Sequence, residues 1–471
     1  MRQLAEQAFS RAAGAPLSSG NAIELLIDAQ AHFDAWLAVI ESARHYVLLD
    51  NYIVRDDDIG HAFLDALCRA ARNGVTVCVI HDWLGCLGQS RRAFWNPLRA
   101  AGGEVRVFNP PRWDQPLGWI SRDHRKMLCV DGRVGSLTGV CLSGNWLADP
   151  ARGTPAWRDT GVMLRGPAVR DLENAFLDAW DDLGTTLQLP GTDADAATAG
   201  DVSLRIIATR PQTAGVYRLD QLIASMARET LWLTDAYFVG VSPYVQALAA
   251  AAHDGVDVRL LVPGSSDVPI VAAMSRNGYR PLLDAGVRVF EWQGSMLHAK
   301  TAVADGRWAR VGSSNLNLAS WIGNCEIDVA VENRDFARQM QQQYLSDLEN
   351  ATEVLLPRAR RVAAARKAAD TRRRRHYRGG SSSRAAASAI RLARNVGSVL
   401  TPSRTLGTDE YGMLLGAGGV IALTAVLAFL WPKLLAWPLA LLLAWLGISL
   451  LWRGMRQRHR DDPSRDQAPP P

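Results

Sequence analysis

One pattern occurs twice in this chain: a His, a Lys two residues later, and an Asp five residues beyond that. The first copy is His124-Arg-Lys126-Met-Leu-Cys-Val-Asp131-Gly132. The second is His298-Ala-Lys300-Thr-Ala-Val-Ala-Asp305-Gly306. In each copy His and Lys alternate along an apolar stretch, so both project from one face of a strand while their neighbours face a core. One such triplet is compatible with a solvated strand. Two copies with identical internal spacing constrain the fold, because chemistry that uses both needs the two strands brought together. Two imidazoles and two ammoniums in one place suit a phosphodiester. One His attacks phosphorus, the other manages the alcohol proton, and the lysines hold the phosphoryl oxygens.

The motifs sit in a longer internal repeat of roughly 180 residues, far above solenoid periods. One half runs through Tyr46-Val-Leu-Leu-Asp-Asn-Tyr52, Gly74-Val-Thr-Val-Cys-Val-Ile-His-Asp82 and Gly103-Glu-Val-Arg-Val-Phe108 to the first motif. The other runs through Leu231-Trp-Leu-Thr-Asp-Ala-Tyr237, Gly255-Val-Asp-Val-Arg-Leu-Leu-Val-Pro263 and Gly286-Val-Arg-Val-Phe290 to the second. Strands alternating with helical stretches predict two α/β halves, each a mixed, mainly parallel sheet with helices on both faces. The halves are expected at 1–195 and 196–356, packed face to face as one pseudo-symmetric unit with a shared site. Two separate domains in series are the alternative.

Charge divides the chain. Residues 357–404 carry about 14 Lys and Arg against one Asp, and residues 1–356 carry a net charge of about −9. The basic excess therefore lies in a linker, expected at 357–410, and not on the repeat. An acidic repeat argues against a nuclease and against nucleic acid as partner. Two uncharged apolar runs follow, Tyr411 to Trp431 of about 21 residues and Leu434 to Trp452 of about 19, each long enough to span a bilayer. They predict a transmembrane helical hairpin at 411–453 and a basic, polar tail at 454–471. Arginines flank both ends, so the positive-inside rule puts both termini and the repeat in the cytoplasm. Linker arginines suit anionic headgroups. The six cysteines, at 68, 78, 86, 129, 141 and 325, form no CxxC pair, which excludes a disulfide framework or a zinc site. The N-terminus has no apolar signal-peptide core.

The doubled motif resembles the HxKxxxxD signature of the phospholipase D superfamily. The second copy continues as that family does, through Gly312-Ser313-Ser314-Asn315-Leu-Asn317 to Asn324-Cys-Glu326. The first departs at Thr138-Gly139-Val140-Cys141, leaving no polar group at 141. Leu48-Leu-Asp-Asn-Tyr52-Ile-Val-Arg-Asp56, Trp157-Arg-Asp159 and Gly166-Pro-Ala-Val169 are similar to bacterial cardiolipin synthases of this superfamily. The resemblance implies transfer of a phosphatidyl group between two phosphatidylglycerol molecules through a phosphatidyl-histidine, with no cofactor and no metal. It implies a catalytic set of His124, Lys126, Asp131, His298, Lys300 and Asp305. His124 is expected as nucleophile and His298 as acid and base, with the two aspartates shaping the site as turn formers. Ser313 and Asn315 are expected to donate to phosphoryl oxygens, and Glu326 to orient His298. Asp159, Tyr52 and Tyr237 are candidates for the cleft wall with structural roles. The implied partners are phosphatidylglycerol, other anionic phospholipids and the bacterial inner membrane. A phospholipase D hydrolase and a non-catalytic membrane scaffold are the rival readings.

Overall fold

The computed structural model describes residues 2–112, 120–151, 153–189, 197–211 and 213–356, with scattered positions between 437 and 448. Met1–Pro110 and Gly118–Arg372 form one compact unit; Pro111–Leu117 and Arg373–Pro471 form a second, almost all of it outside the described residues. The expected linker and tail, and all of the expected hairpin but those scattered positions, lie outside the described residues. Among the described residues no helix is long and apolar enough to cross a membrane.

The chain opens with α1 (Arg2–Ala13), β1 (Ser18–Ile27) and α2 (Asp28–Glu41). A βαβαβ run follows: β2 (Tyr46–Asn51), α3 (Asp58–Arg72), β3 (Thr76–Asp82), α4 (Asn96–Ala100) and β4 (Glu104–Phe108). The motif strand β5 (Lys126–Val130), then β6 (Val134–Thr138), β7 (Thr160–Arg165) and α5 (Ala168–Asp182) close the first half. The second half repeats this with β8 (Val202–Thr209), α6 (Gly215–Met226), β9 (Thr230–Thr234), α7 (Ser242–His253), β10 (Asp257–Pro263), α8 (Pro269–Ala285) and β11 (Arg288–Trp292). It ends in the motif strand β12 (Thr301–Ala304), β13 (Trp308–Gly312), β14 (Glu326–Val331), α9 (Arg334–Glu349) and β15 (Ala351–Val354).

The fifteen strands pair in one continuous order, β15-β11-β10-β9-β12-β13-β14-β8-β1-β7-β6-β5-β2-β3-β4, joined at the middle by β1 and β8. The sheet is mixed, as expected, but not mainly parallel. Only the pairs within β2-β3-β4 and β9-β10-β11 are parallel; every other pairing is antiparallel. The reason is where the motif strand returns. After each βαβαβ run the motif strand returns antiparallel beside β2 or β9 and turns back at once through Asp-Gly. Asp131 and Gly132 (φ 54 and 63) and Asp305 and Gly306 (φ 51 and 58) are all left-handed, the conformation of tight hairpin turns.

The two halves meet over a shared apolar core. Met127, Leu137, Leu164, Phe176 and Trp180 of the first half cluster with Val303, Val311, Ile327, Val329 and Met340 of the second. Helix α1 does not stay with the first half. Ala13 and Ala15 are buried with Val216 and Leu219 of α6 in the second half's own core.

Candidate active site

His124 and Lys126, and likewise His298 and Lys300, stand at the start of β5 and β12, where the strands emerge from the core. Both histidines line one cavity of about 680 Å³, together with Tyr52, Tyr237, Cys141 and Asn315. The motif aspartates do not. Asp131 lies at the far end of β5, and its carboxylate accepts the backbone N–H groups of Arg44, His45 and Tyr46 at 2.7, 2.7 and 2.8 Å. Asp305 accepts those of Arg228, Glu229 and Thr230 at 3.0, 2.8 and 2.9 Å. Each aspartate thus ties the motif hairpin to the start of the neighbouring strand. Neither carboxylate faces the cavity.

What completes each histidine comes from the opposite half. The backbone of His124 donates to Cys325 C=O at 2.9 Å, and Cys325 N–H donates to Arg122 C=O at 2.8 Å. This pairing sets the next residue, Glu326, against the imidazole: His124 Nδ1 to Glu326 Oε2 is 2.8 Å. The second site repeats the construction. His298 N–H donates to Arg158 C=O at 2.7 Å, Arg158 N–H donates to Met296 C=O at 3.0 Å, and His298 Nδ1 lies 2.7 Å from Asp159 Oδ2. Glu326 therefore serves His124 and not His298, and it is wholly buried away from the cavity rather than binding substrate. Asp159, expected as cleft wall, holds His298. A carboxylate on Nδ1 fixes the tautomer and leaves Nε2 free for nucleophilic or proton-transfer work.

The supports differ between the halves. Ser313 donates its hydroxyl to Glu326 at 2.6 Å and accepts from Ile327 N–H at 3.0 Å, so it braces the carboxylate instead of donating to phosphoryl oxygen. The counterpart position in the first half is Gly139, where a Cβ would lie 2.4 Å from Asp159 Oδ1. Asp159 takes its second support from Trp146 Nε1 at 3.1 Å. The departure at 138–141 is thus a second solution to holding a shorter acid. Thr138 bonds His32 Nε2 at 3.0 Å, and Cys141 faces the cavity where the other half has Asn315. Asn315 lines the cavity, and its buried Oδ1 has no protein partner among the described residues.

Both lysines are fully buried. Lys126 donates to His124 C=O at 2.6 Å and lies 4.9 Å from the centre of the Tyr52 ring. Lys300 donates to His298 C=O and lies 2.9 Å from His298 Nδ1. Burial pulls the Lys300 pKa down to about 8, with the Lys126 charge adding to the shift against the pull of Asp159. Burial, then the Lys300 charge, brings His298 down to about 4. Burial likewise lowers His124 and Lys126. Burial alone would raise Asp159 and Glu326, but their histidines and the nearby lysines outweigh it, so both acids stay charged. At neutral pH the site holds neutral imidazoles beside two charged carboxylates and a Lys300 that is still mostly an ammonium. Loss of kcat/KM on the alkaline side is expected near pH 8, as Lys300 discharges, because a neutral amine no longer balances phosphoryl charge. A pH profile measured with a phospholipid substrate checks this. An alkaline limb above pH 10 would mean an ordinary, solvated lysine.

Sequence reasoning missed the cross-half exchange of carboxylates. The signal was present: Trp157-Arg-Asp159 and Asn324-Cys-Glu326 each place an acid two residues after a strand-like entry, downstream of its motif. Nothing in one dimension tells which histidine each acid meets.

Two motif strands sharing one cavity, each histidine completed by the other half, define a phospholipase D-like protein. The family model described as cardiolipin synthase, PLD-like domain, matches residues 36–152 and 219–348. The chain is 32% identical over 346 residues to a cardiolipin synthase of Alkalihalophilus pseudofirmus, covering 72% of this chain and 68% of that one. It is 33% identical over 350 residues to cardiolipin synthase A of Pseudomonas putida, covering 72% and 71%. The crystal structure of phosphatidylserine synthase from Haemophilus influenzae has a similar fold, with TM-score 0.55 and 13% identity over 74% of this chain and 91% of that one. The chain belongs to the cardiolipin synthase family of phospholipase D-like proteins.

Proposed function

We propose that this chain is a phosphatidyltransferase that joins two phosphatidylglycerol molecules into cardiolipin and releases glycerol. The observation that carries the reading is the pair of histidines on one cavity, each with Nδ1 held by a buried carboxylate. His124 Nε2 attacks phosphorus, the bond to the glycerol oxygen breaks, and protonated His298 gives its proton to that oxygen. The phosphate's own charge favours the imidazolium when substrate is bound. His298, now neutral, takes the proton of a second phosphatidylglycerol hydroxyl, whose oxygen displaces His124. The diester energy is kept in the P–N bond, and His298 ends protonated as it began. Mass-spectrometric analysis of lipids after incubation with the purified protein tests the reading. Cardiolipin with released glycerol supports it; phosphatidic acid alone makes water the acceptor and overturns it.

The lysines supply the positive charge that a divalent ion would bring to a phosphoryl group. Treatment with EDTA is expected to leave turnover unchanged on a substrate surface that itself needs no divalent ion. A large loss restored by one divalent ion refutes this.

The attachment belongs to the same reading. The apolar runs at 411–453 cross the inner membrane as a hairpin, with the catalytic unit and both termini in the cytoplasm and the 357–410 linker on anionic headgroups. A chain ending near Arg358 is expected to keep activity on detergent-dispersed phosphatidylglycerol and to lose most of its membrane fraction. Each basic residue near the leaflet contributes about 1 kcal/mol and each spanning helix far more. Fractionation after a high-salt wash reads the outcome. Full retention would move the main anchor to the catalytic unit.

A further inference from the structure

Among the described residues up to 356, ten large apolar side chains are exposed, and seven of them line the histidine cavity or lie within two residues of a lining side chain. Helix α8 turns Ser275, Tyr279 and Leu282 into the core. Its first turns instead hold out Ile270 and Met274, 71% and 46% exposed and one helical turn apart. Leu318, 54% exposed, precedes the short turn Ala319–Gly323, and Ile322, 44% exposed, lies within it. Met274 and Leu318 also face into the cavity, so rim and cavity are continuous. On the first half Leu87 and Ile120, each 56% exposed, stand two residues from the lining side chains Gln89 and Arg122. Exposed apolar side chains scattered singly need no explanation, but a set gathered round one opening marks a contact surface.

We propose that this rim seats in a phospholipid bilayer, its side chains entering the acyl region while the diester reaches the histidines. The inference rests on the lipid reading above and adds the surface through which substrate arrives. The occupant follows from size. A cavity of about 680 Å³ has the volume of a site for one drug-sized molecule. Two diacyl phospholipids bring four acyl chains, which must remain outside the cavity, against whatever surrounds its mouth. An apolar mouth embedded at the interface lets those chains stay in hydrocarbon during transfer, so no chain has to be drawn into water.

The test uses the full chain in phosphatidylglycerol-containing vesicles. All six native cysteines are buried; because Cys141 lines the cavity, labelling of the chain without an introduced cysteine sets the background against which each introduced position is read. Probes on Ile270→Cys and Leu318→Cys are expected to shift to the blue and to lose emission with lipids carrying a nitroxide on the acyl chain. A probe on Leu345→Cys, exposed on α9 away from the rim, is expected to do neither, which controls for attachment elsewhere in the chain. Ile322→Cys provides a second rim position if either substitution disturbs folding. Rim probes that behave like the one at 345 overturn the proposal. The readout needs no turnover. Penetration without cardiolipin formation keeps the docking surface and counts against the transferase; cardiolipin formation with unshifted rim probes does the reverse.

Discussion

His124→Ala and His298→Ala are each expected to lower lipid transfer by roughly 10,000-fold or more, because attack and proton transfer are separate tasks that neither histidine can do for the other. The two losses differ in kind. His298→Ala retains the nucleophile but loses the acid of the first step and the base of the second, so a phosphatidyl-enzyme is expected to form slowly and then persist, visible as a mass increase on the His124 peptide after long incubation with labelled phosphatidylglycerol. His124→Ala is expected to show no adduct. An adduct on the His298 peptide instead would exchange the two roles. Near-wild-type turnover in either variant would end the paired-histidine mechanism.

Glu326→Gln and Asp159→Asn form the second large expectation. Each carboxylate holds Nδ1 of a histidine in the opposite half, at 2.8 and 2.7 Å. An amide can present its NH2 to Nδ1 and favour the wrong tautomer, at a cost on the order of 1,000- to 10,000-fold in kcat. The fold should survive, since shape and most hydrogen bonds are kept, so an unchanged melting temperature accompanies the loss. The readout that separates positioning from plain structural damage is the trapped intermediate. Glu326→Gln should slow its formation, because it disturbs His124. Asp159→Asn should slow both its formation and its breakdown, because it disturbs His298. Equal and mild effects on both steps would reduce these acids to packing groups.

Much of this was legible in one dimension because the repeat is written in local signals. His and Lys two residues apart on an apolar strand announce a shared face, and Asp-Gly announces the turn that follows. The βαβαβ runs were legible for the same reason. The sheet's mainly antiparallel pairing was not, because it depends on where the motif strand returns after its run. Helix α1 shows the same limit: its sequence predicts no partner, and only the assembled core shows Ala13 and Ala15 against α6.

The sequence by itself determined that the catalytic groups come in two equivalent sets, that the unit carrying them is acidic, and that the positive charge is concentrated in the segment that follows. Those are properties of spacing and composition. Only the tertiary structure decided which groups act together. Ser313, read as a phosphate donor, braces Glu326; Glu326, read as the partner of His298, serves His124; Asp159, read as wall, serves His298. Each of these pairings joins residues more than 130 positions apart or turns on which lone pair is already occupied. They form because the strand entry at Cys325 lies beside Arg122 and His124, and that at Arg158 beside Met296 and His298. Backbone pairing between the halves delivers each acid to the other half's histidine, and no local pattern in the chain encodes that exchange.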